Sequence, residues 1–238
     1  MAAGATQVEH GHEHPEGVFH QFENIDQQNE SYIVGMWTFL VTEVMFFGPL
    51  FLAYILYRWQ FQEYFWRTHK LLNIWLGGAN TLILLFSSFT MAMGVHFAMK
   101  KDSRRQIAFL GITALCGVAF LVIKLAFEWP SKFAHHLYPG PNFAWPPHDG
   151  YDQATLALLR DVPSGAAEMF FSLYFGITGL HGIHVLVGVL CIGTIIVMKF
   201  LKFPQVEPYI PTEMVGLYWH FVDLVWIFLY PLFYLMPR

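Results

Sequence analysis

The sequence predicts an all-α, polytopic membrane protein: a bundle of five transmembrane helices behind a polar N-terminal tail. Three observations carry this. The chain is 55% hydrophobic and only 13% charged, where soluble domains carry about a quarter charged residues. Five apolar runs, at about 32–57, 71–98, 107–128, 166–198 and 214–236, are long enough to span a bilayer. Among Lys and Arg residues only Lys124 falls inside a run, the segregation expected of membrane spans.

Residues 1–31 read as a polar tail, with 32–238 as the membrane domain. The tail carries His10, His12, His14 and His20 among Glu, Gln and Gly. A His-x-His-x-His run has the chemistry to hold a transition metal, but a solvated tail is the plainer reading. No signal-peptide pattern opens the chain, and a net charge of −4 gives no reason to expect nucleic acid as a partner. Cys116 and Cys191 both fall within spans and read as small buried residues rather than a disulfide.

The first span holds one charge, Glu43, about 17 Å along the helix from Tyr32 and close to mid-bilayer. A carboxylate there marks a functional site by default. Pro49, one turn on, removes a backbone donor and predicts a kink. Phe39, Phe46, Phe47 and Leu50 share the face of Glu43. A connector with Arg58, Trp59, Trp66, Arg67 and Lys70 makes an interfacial belt.

The second span opens Gly77-Gly78-Ala79-Asn80-Thr81 and continues to Ser87-Ser88. Small and hydroxylated residues suit close helix contact, and Asn80 reads as interhelical glue. The third span ends Lys124-Leu125-Ala126-Phe127-Glu128-Trp129-Pro130. Lys124 and Glu128, four apart, face one another on one side, as an ion pair at a helix end would. Residues 130–164 form the one long loop, expected to lie over the membrane surface or against a partner, with a short turn near Leu156–Leu159.

The fourth span starts after Pro163 and carries Gly176, Gly179, Gly182, Gly188 and Gly193, which predict a close-packed face. His181 and His184, three apart, share a side. In the fifth span Trp219, Asp223, Trp226 and Tyr230 form a stripe, with His220 three residues before Asp223. The intramembrane polar set is thus Glu43, Asn80, Lys124, Glu128, His181, His184, His220 and Asp223. Three classes compete for it. A b-type cytochrome needs opposed axial histidines, which two histidines three apart on one helix do not supply. A proton-coupled transporter would use acid and His residues as a path, but no inverted repeat is visible. A non-catalytic helical subunit would use them for assembly or proton buffering.

Several stretches, in order, closely resemble subunit III of the haem-copper cytochrome c oxidases. They are Thr42-Glu43-Val44-Met45-Phe46-Phe47, Asn80-Thr81 with Ser87-Ser88, Glu128-Trp129, Thr178-Gly179-Leu180-His181-Gly182-Ile183-His184-Val185, and Tyr218-Trp219-His220-Phe221-Val222-Asp223. The resemblance spans about residues 32–236. It implies the last five helices of a seven-helix fold, leaving the lipid-holding cleft between the two helix groups absent, altered or completed by another chain. It also implies a subunit with no haem, copper or other cofactor of its own, those centres lying in partner subunits. Subunit I is the implied main contact, with subunit II as a further partner and cytochrome c as donor to the complex. The complex would reduce oxygen and pump protons, and this chain would stabilise subunit I and support its proton uptake. Glu43 matches the family's carbodiimide-reactive membrane carboxylate and is expected to be neutral or hydrogen-bonded. Phospholipid is an implied ligand, with Trp37, Trp219 and Trp226 as expected contacts. A bacterial-type cytoplasmic membrane is implied, with the N-terminus inside and the C-terminus outside; charge counting alone leaves orientation open. The alternative within the family is the same subunit of a quinol oxidase or of a nitric-oxide-reductase-linked homologue.

Overall fold

A computed structural model describes residues 21–147, 150–203 and 208–236. The described residues form helices, five of them long and apolar enough to cross a membrane. In order they are α1 (Ile25–Gln60), α2 (Gln62–Thr68), α3 (Ile74–Met99), α4 (Ser103–Val122), α5 (Trp129–Ala134), α6 (Gln153–Leu159), α7 (Ser164–Phe200) and α8 (Ile210–Tyr234). A π-helical turn, Ile123–Glu128, joins α4 to α5, so Ser103–Ala134 acts as one span of 32 residues. His10, His12 and His14 lie outside the described residues.

The helix starts are written locally. Asn24 accepts from Gln27 N at 2.8 Å, and the Gln27 side chain accepts from Glu23 N. This cap starts α1 seven residues before the apolar run predicted from Tyr32. At 36 residues, α1 is about 54 Å long and projects well beyond a bilayer core of about 30 Å. The helix runs unbroken through Pro49. Asn73 caps α3 through Trp75 N and Leu76 N, and Asp102 caps α4 through Arg105 N. Pro130 was expected to end the third span. It falls in the first turn of α5 instead, directly after the π-helical turn.

The α3, α4, α7 and α8 helices form a ring in which each packs along the next, and α8 returns to α3. Inside lie Trp219, Trp226, Tyr174, Tyr234, Phe120 and Phe170, all inaccessible or nearly so. Trp219 fits because two helices lack side chains beside it. A Cβ on Gly117 would come within 2.6 Å of its ring, and one on Gly188 within 2.7 Å. Close packing rather than transfer from water holds such a bundle. The expected glycine face of α7 is only partly close-packed. Gly188 meets Trp219 and Gly179 meets Trp129, but Gly176 and Gly193 have nothing within 4 Å.

The α1 helix leans on the outside of the ring, against α8 and α7. It buries only Gln28, Leu40, Phe47 and Tyr54, and the last three recur every seventh residue, a single narrow seam. The Tyr54 hydroxyl donates to the Leu232 carbonyl near the end of α8. The long loop folds back onto the bundle: Leu137, Leu159 and Val162 are buried, and Trp145 Nε1 donates to Val162 O at 2.8 Å.

Candidate functional site

Glu43 has a partner. Its Oε2 lies 3.0 Å from His184 Nε2, across the α1–α7 seam, with both side chains largely covered. The two helices are of similar length, and each residue sits near its helix's midpoint. Phe47 packs its ring against the imidazole at 5.1 Å, and Tyr218 donates to the His184 carbonyl at 3.1 Å. The other ring nitrogen, Nδ1, is 2.8 Å from Leu180 O. A carbonyl only accepts, so Nδ1 carries a hydrogen. One proton then remains to be shared between Nε2 and the carboxyl. Either Glu43 donates to a neutral ring, or an imidazolium donates to the carboxylate. The pair is neutral overall in both forms, which lowers the cost of placing it within an apolar span.

A second cluster lies inside the ring, at the π-helical turn. Lys124 Nζ donates to Glu128 Oε2 at 2.7 Å, and both residues are buried. The turn brings them together on the interior rather than at an exposed helix end. Glu128 Oε1 accepts from Tyr174 at 2.7 Å and from Tyr234. Lys124 also donates to Tyr234 at 2.6 Å and lies 4.6 Å from the centre of the Trp226 ring. Charge, hydrogen bonds and ring faces together offset desolvation, the condition under which a buried ion pair is tolerated.

A third group is less satisfied. Asn80, His181 and Asp223 are buried, and no side-chain N or O of theirs has a hydrogen-bond partner. Asn80 thus makes no direct side-chain hydrogen bond to another helix. Its neighbours do: Thr81 accepts from Trp226 Nε1, Ser87 from Trp219 Nε1, Ser88 bonds His220 Nδ1 at 2.7 Å, and Thr90 bonds Thr113. Asp223 lies beside Ser87 and Ser88 without a hydrogen bond of good geometry to either.

The histidines diverge. His181 stacks on Trp226 at 5.3 Å, His184 faces Glu43 and His220 faces Ser88. These three rings do not form the opposed pair that would ligate a haem. Among the described residues, no three His, Cys, Asp or Glu side chains converge as a metal site would need. Of the tryptophans expected to touch lipid, Trp37 is 57% exposed, but Trp219 and Trp226 are fully buried. Aromatic residues near a span suggest the membrane interface; here Trp219 fills space left by Gly117 and Gly188, and Trp226 donates to Thr81 inside the bundle. The tyrosines Tyr174, Tyr218 and Tyr234 and the buried Lys132 were missed. A hydroxyl on the inner stripe of a span was the available signal.

Comparison with known proteins gives this arrangement a family setting. The family model described as cytochrome c oxidase subunit III matches residues 162–237. That segment includes His181, His184, His220 and Asp223. Cytochrome c oxidase subunit 3 of Thermostichus vulcanus is 29% identical over 98% of this chain and 94% of its own length. The Synechocystis protein of the same description is 31% identical over 85% of this chain and 74% of its own. Quinol oxidase subunit 3 of Bacillus subtilis is 28% identical over 86% of each.

Proposed function

The chain belongs to the cytochrome c oxidase subunit III family and so is an accessory subunit of a haem-copper oxidase complex; on that premise we propose that it carries no redox centre and acts by holding its partners and a proton in place. Oxygen reduction takes place on haem and copper in subunits I and II, with subunit I as the main contact. The complex sits in a bacterial-type cytoplasmic membrane, with the N-terminus of this chain inside and its C-terminus outside. Cytochrome c is the donor.

The observation that carries this reading is the Glu43–His184 pair. It is protonatable, central along both helices and on the periphery of the bundle, where it can respond to a neighbour. The interior polar groups do not join it. Lys124 and Glu128 are closed on their tyrosines, and Asn80, His181 and Asp223 make no continuous line of hydrogen bonds. A proton can be held at this pair, and among the described residues no hydrogen-bonded relay leads from it across the bundle. Replacing Glu43 with Gln should leave the oxidase assembled and reducing oxygen, with at most a modest change in protons pumped per electron. Loss of the whole complex in Glu43→Gln would overturn this reading.

The second reading is the same role in a quinol oxidase. The Bacillus subtilis relative favours it, at a similar identity. A copper-binding domain on the accompanying subunit II would decide for cytochrome c; its absence there would decide for quinol.

A further inference from the structure

His220 and Ser88 meet on the wall of the ring where α3 packs along α8. Both are half-buried, and the Ser88 hydroxyl lies 2.7 Å from His220 Nδ1. Each stands near the middle of its helix, about 15 Å or more from either end at 1.5 Å per residue. The Ser88 hydroxyl has no other hydrogen-bond partner among the described residues, so its hydrogen is satisfied by donating to Nδ1. A neutral imidazole that accepts at Nδ1 carries its own hydrogen on Nε2. Among the described residues nothing accepts that hydrogen, and the atom is open to the surface. Asp223, on the same helix, is buried and makes no bond to it.

The surroundings are apolar. Leu224, one turn on from His220, is 51% exposed, and Leu85 and Phe89 beside Ser88 are exposed as well. Hydrocarbon offers no acceptor, and an N–H left unbonded in it is costly. A neighbouring helix that carries an acceptor removes that cost. Ala92, one turn from Ser88, is also exposed, and small residues at this spacing let a second helix backbone come close.

We propose that the wall around Ser88 and His220 docks a transmembrane helix of subunit I, which places a neutral acceptor, a hydroxyl or amide oxygen, on His220 Nε2. This rests on the accessory role proposed above and adds to it the face and the atom. A carboxylate is a poorer occupant, since the neutral ring brings no charge to offset its desolvation. The Glu43–His184 pair belongs to the α1–α7 seam and takes no part in this contact.

The test is photo-crosslinking in the assembled oxidase. A benzophenone amino acid replaces Leu224, or else Leu115 on α4 or Leu190 on α7, both exposed on the opposite helices of the ring. Leu224 should cross-link to subunit I, and Leu115 and Leu190 should not. His220→Leu should speed loss of this chain from the complex in detergent by about threefold, the usual worth of one hydrogen bond between membrane helices. His220→Gln, which keeps an N–H, should stay near the wild-type rate. A complex that contains subunit I but cross-links from Leu115 or Leu190 and not from Leu224 overturns the assignment of the face and leaves the accessory role standing. A Leu224 adduct to a second copy of this chain, or to lipid alone, overturns it too. Equal retention of wild type and His220→Leu overturns the part given to Nε2. Purification without any haem-bearing subunit overturns both this contact and the accessory role.

Discussion

Replacing Lys124 with Met is the sharpest perturbation of the interior. The lysine side chain is 5% exposed and that of Glu128 2%, with 2.7 Å between their charged atoms. Removing one member of a buried pair strands the other and typically costs about 3–5 kcal/mol. Here Glu128 keeps two tyrosine hydroxyls on Oε1. They continue to offset its charge, so the lower end, about 3 kcal/mol, is expected. Lys124→Met combined with Glu128→Gln removes both charges and keeps an acceptor for the tyrosines. The double variant should recover about 1–2 kcal/mol of the single variant's loss. Tyr174→Phe and Tyr234→Phe should each cost about 1 kcal/mol, since hydrogen bonds between membrane helices are individually weak. The assay is reversible unfolding in mixed micelles, arranged as a double-mutant cycle. A Lys124→Met chain as stable as wild type would refute the reasoning. A double variant no better than the single would refute the coupling.

Three further expectations follow from the geometry. Gly188→Ala puts a Cβ 2.7 Å from Trp219, which Gly117 confines on another helix, so a loss of about 1–3 kcal/mol is expected. Gly193→Ala, with nothing within 4 Å, should stay within about 0.5 kcal/mol of wild type in the same melt. Infrared spectra of wild type against Glu43→Gln should show either a protonated carboxyl with a neutral ring or a carboxylate with an imidazolium. An ionised carboxylate beside a neutral imidazole would refute the single shared proton. His69, in the turn after α2, bonds the Trp66 carbonyl, and burial pushes its pKa below the ordinary 6.5. The unfolded chain then binds a proton that the folded chain resists. Its contribution is full above pH 6.5 and is lost as pH falls from there through the folded value. The stability gap between wild type and His69→Phe should therefore narrow on acidification, and a gap that widens would contradict this.

The five spans and their order were legible because bilayer thickness writes itself into run length and charge segregation. The Lys124–Glu128 contact was legible because four residues make one helical turn. What the sequence hid is nonlocal. Glu43 reads as a lone charge because its partner is 141 residues away on a helix running past it. Trp219 and Trp226 read as lipid contacts because nothing local shows that Gly117, Gly188 and Thr81 open space and a hydrogen bond for them. Asn80 reads as glue from residue type alone, and the bonds pass instead through the hydroxyls around it. Lys132 escaped notice because Pro130 marks a helix end in sequence, whereas the π-helical turn resets the register and makes it a helix start.

The central claim is that this chain serves an oxidase without a redox centre of its own. The direct measurement is the optical spectrum of the affinity-purified complex and of this chain after separation from it. Haem bands in the complex that stay with the other subunits, leaving this chain colourless, are the predicted result. A Soret band that follows this chain would contradict the account.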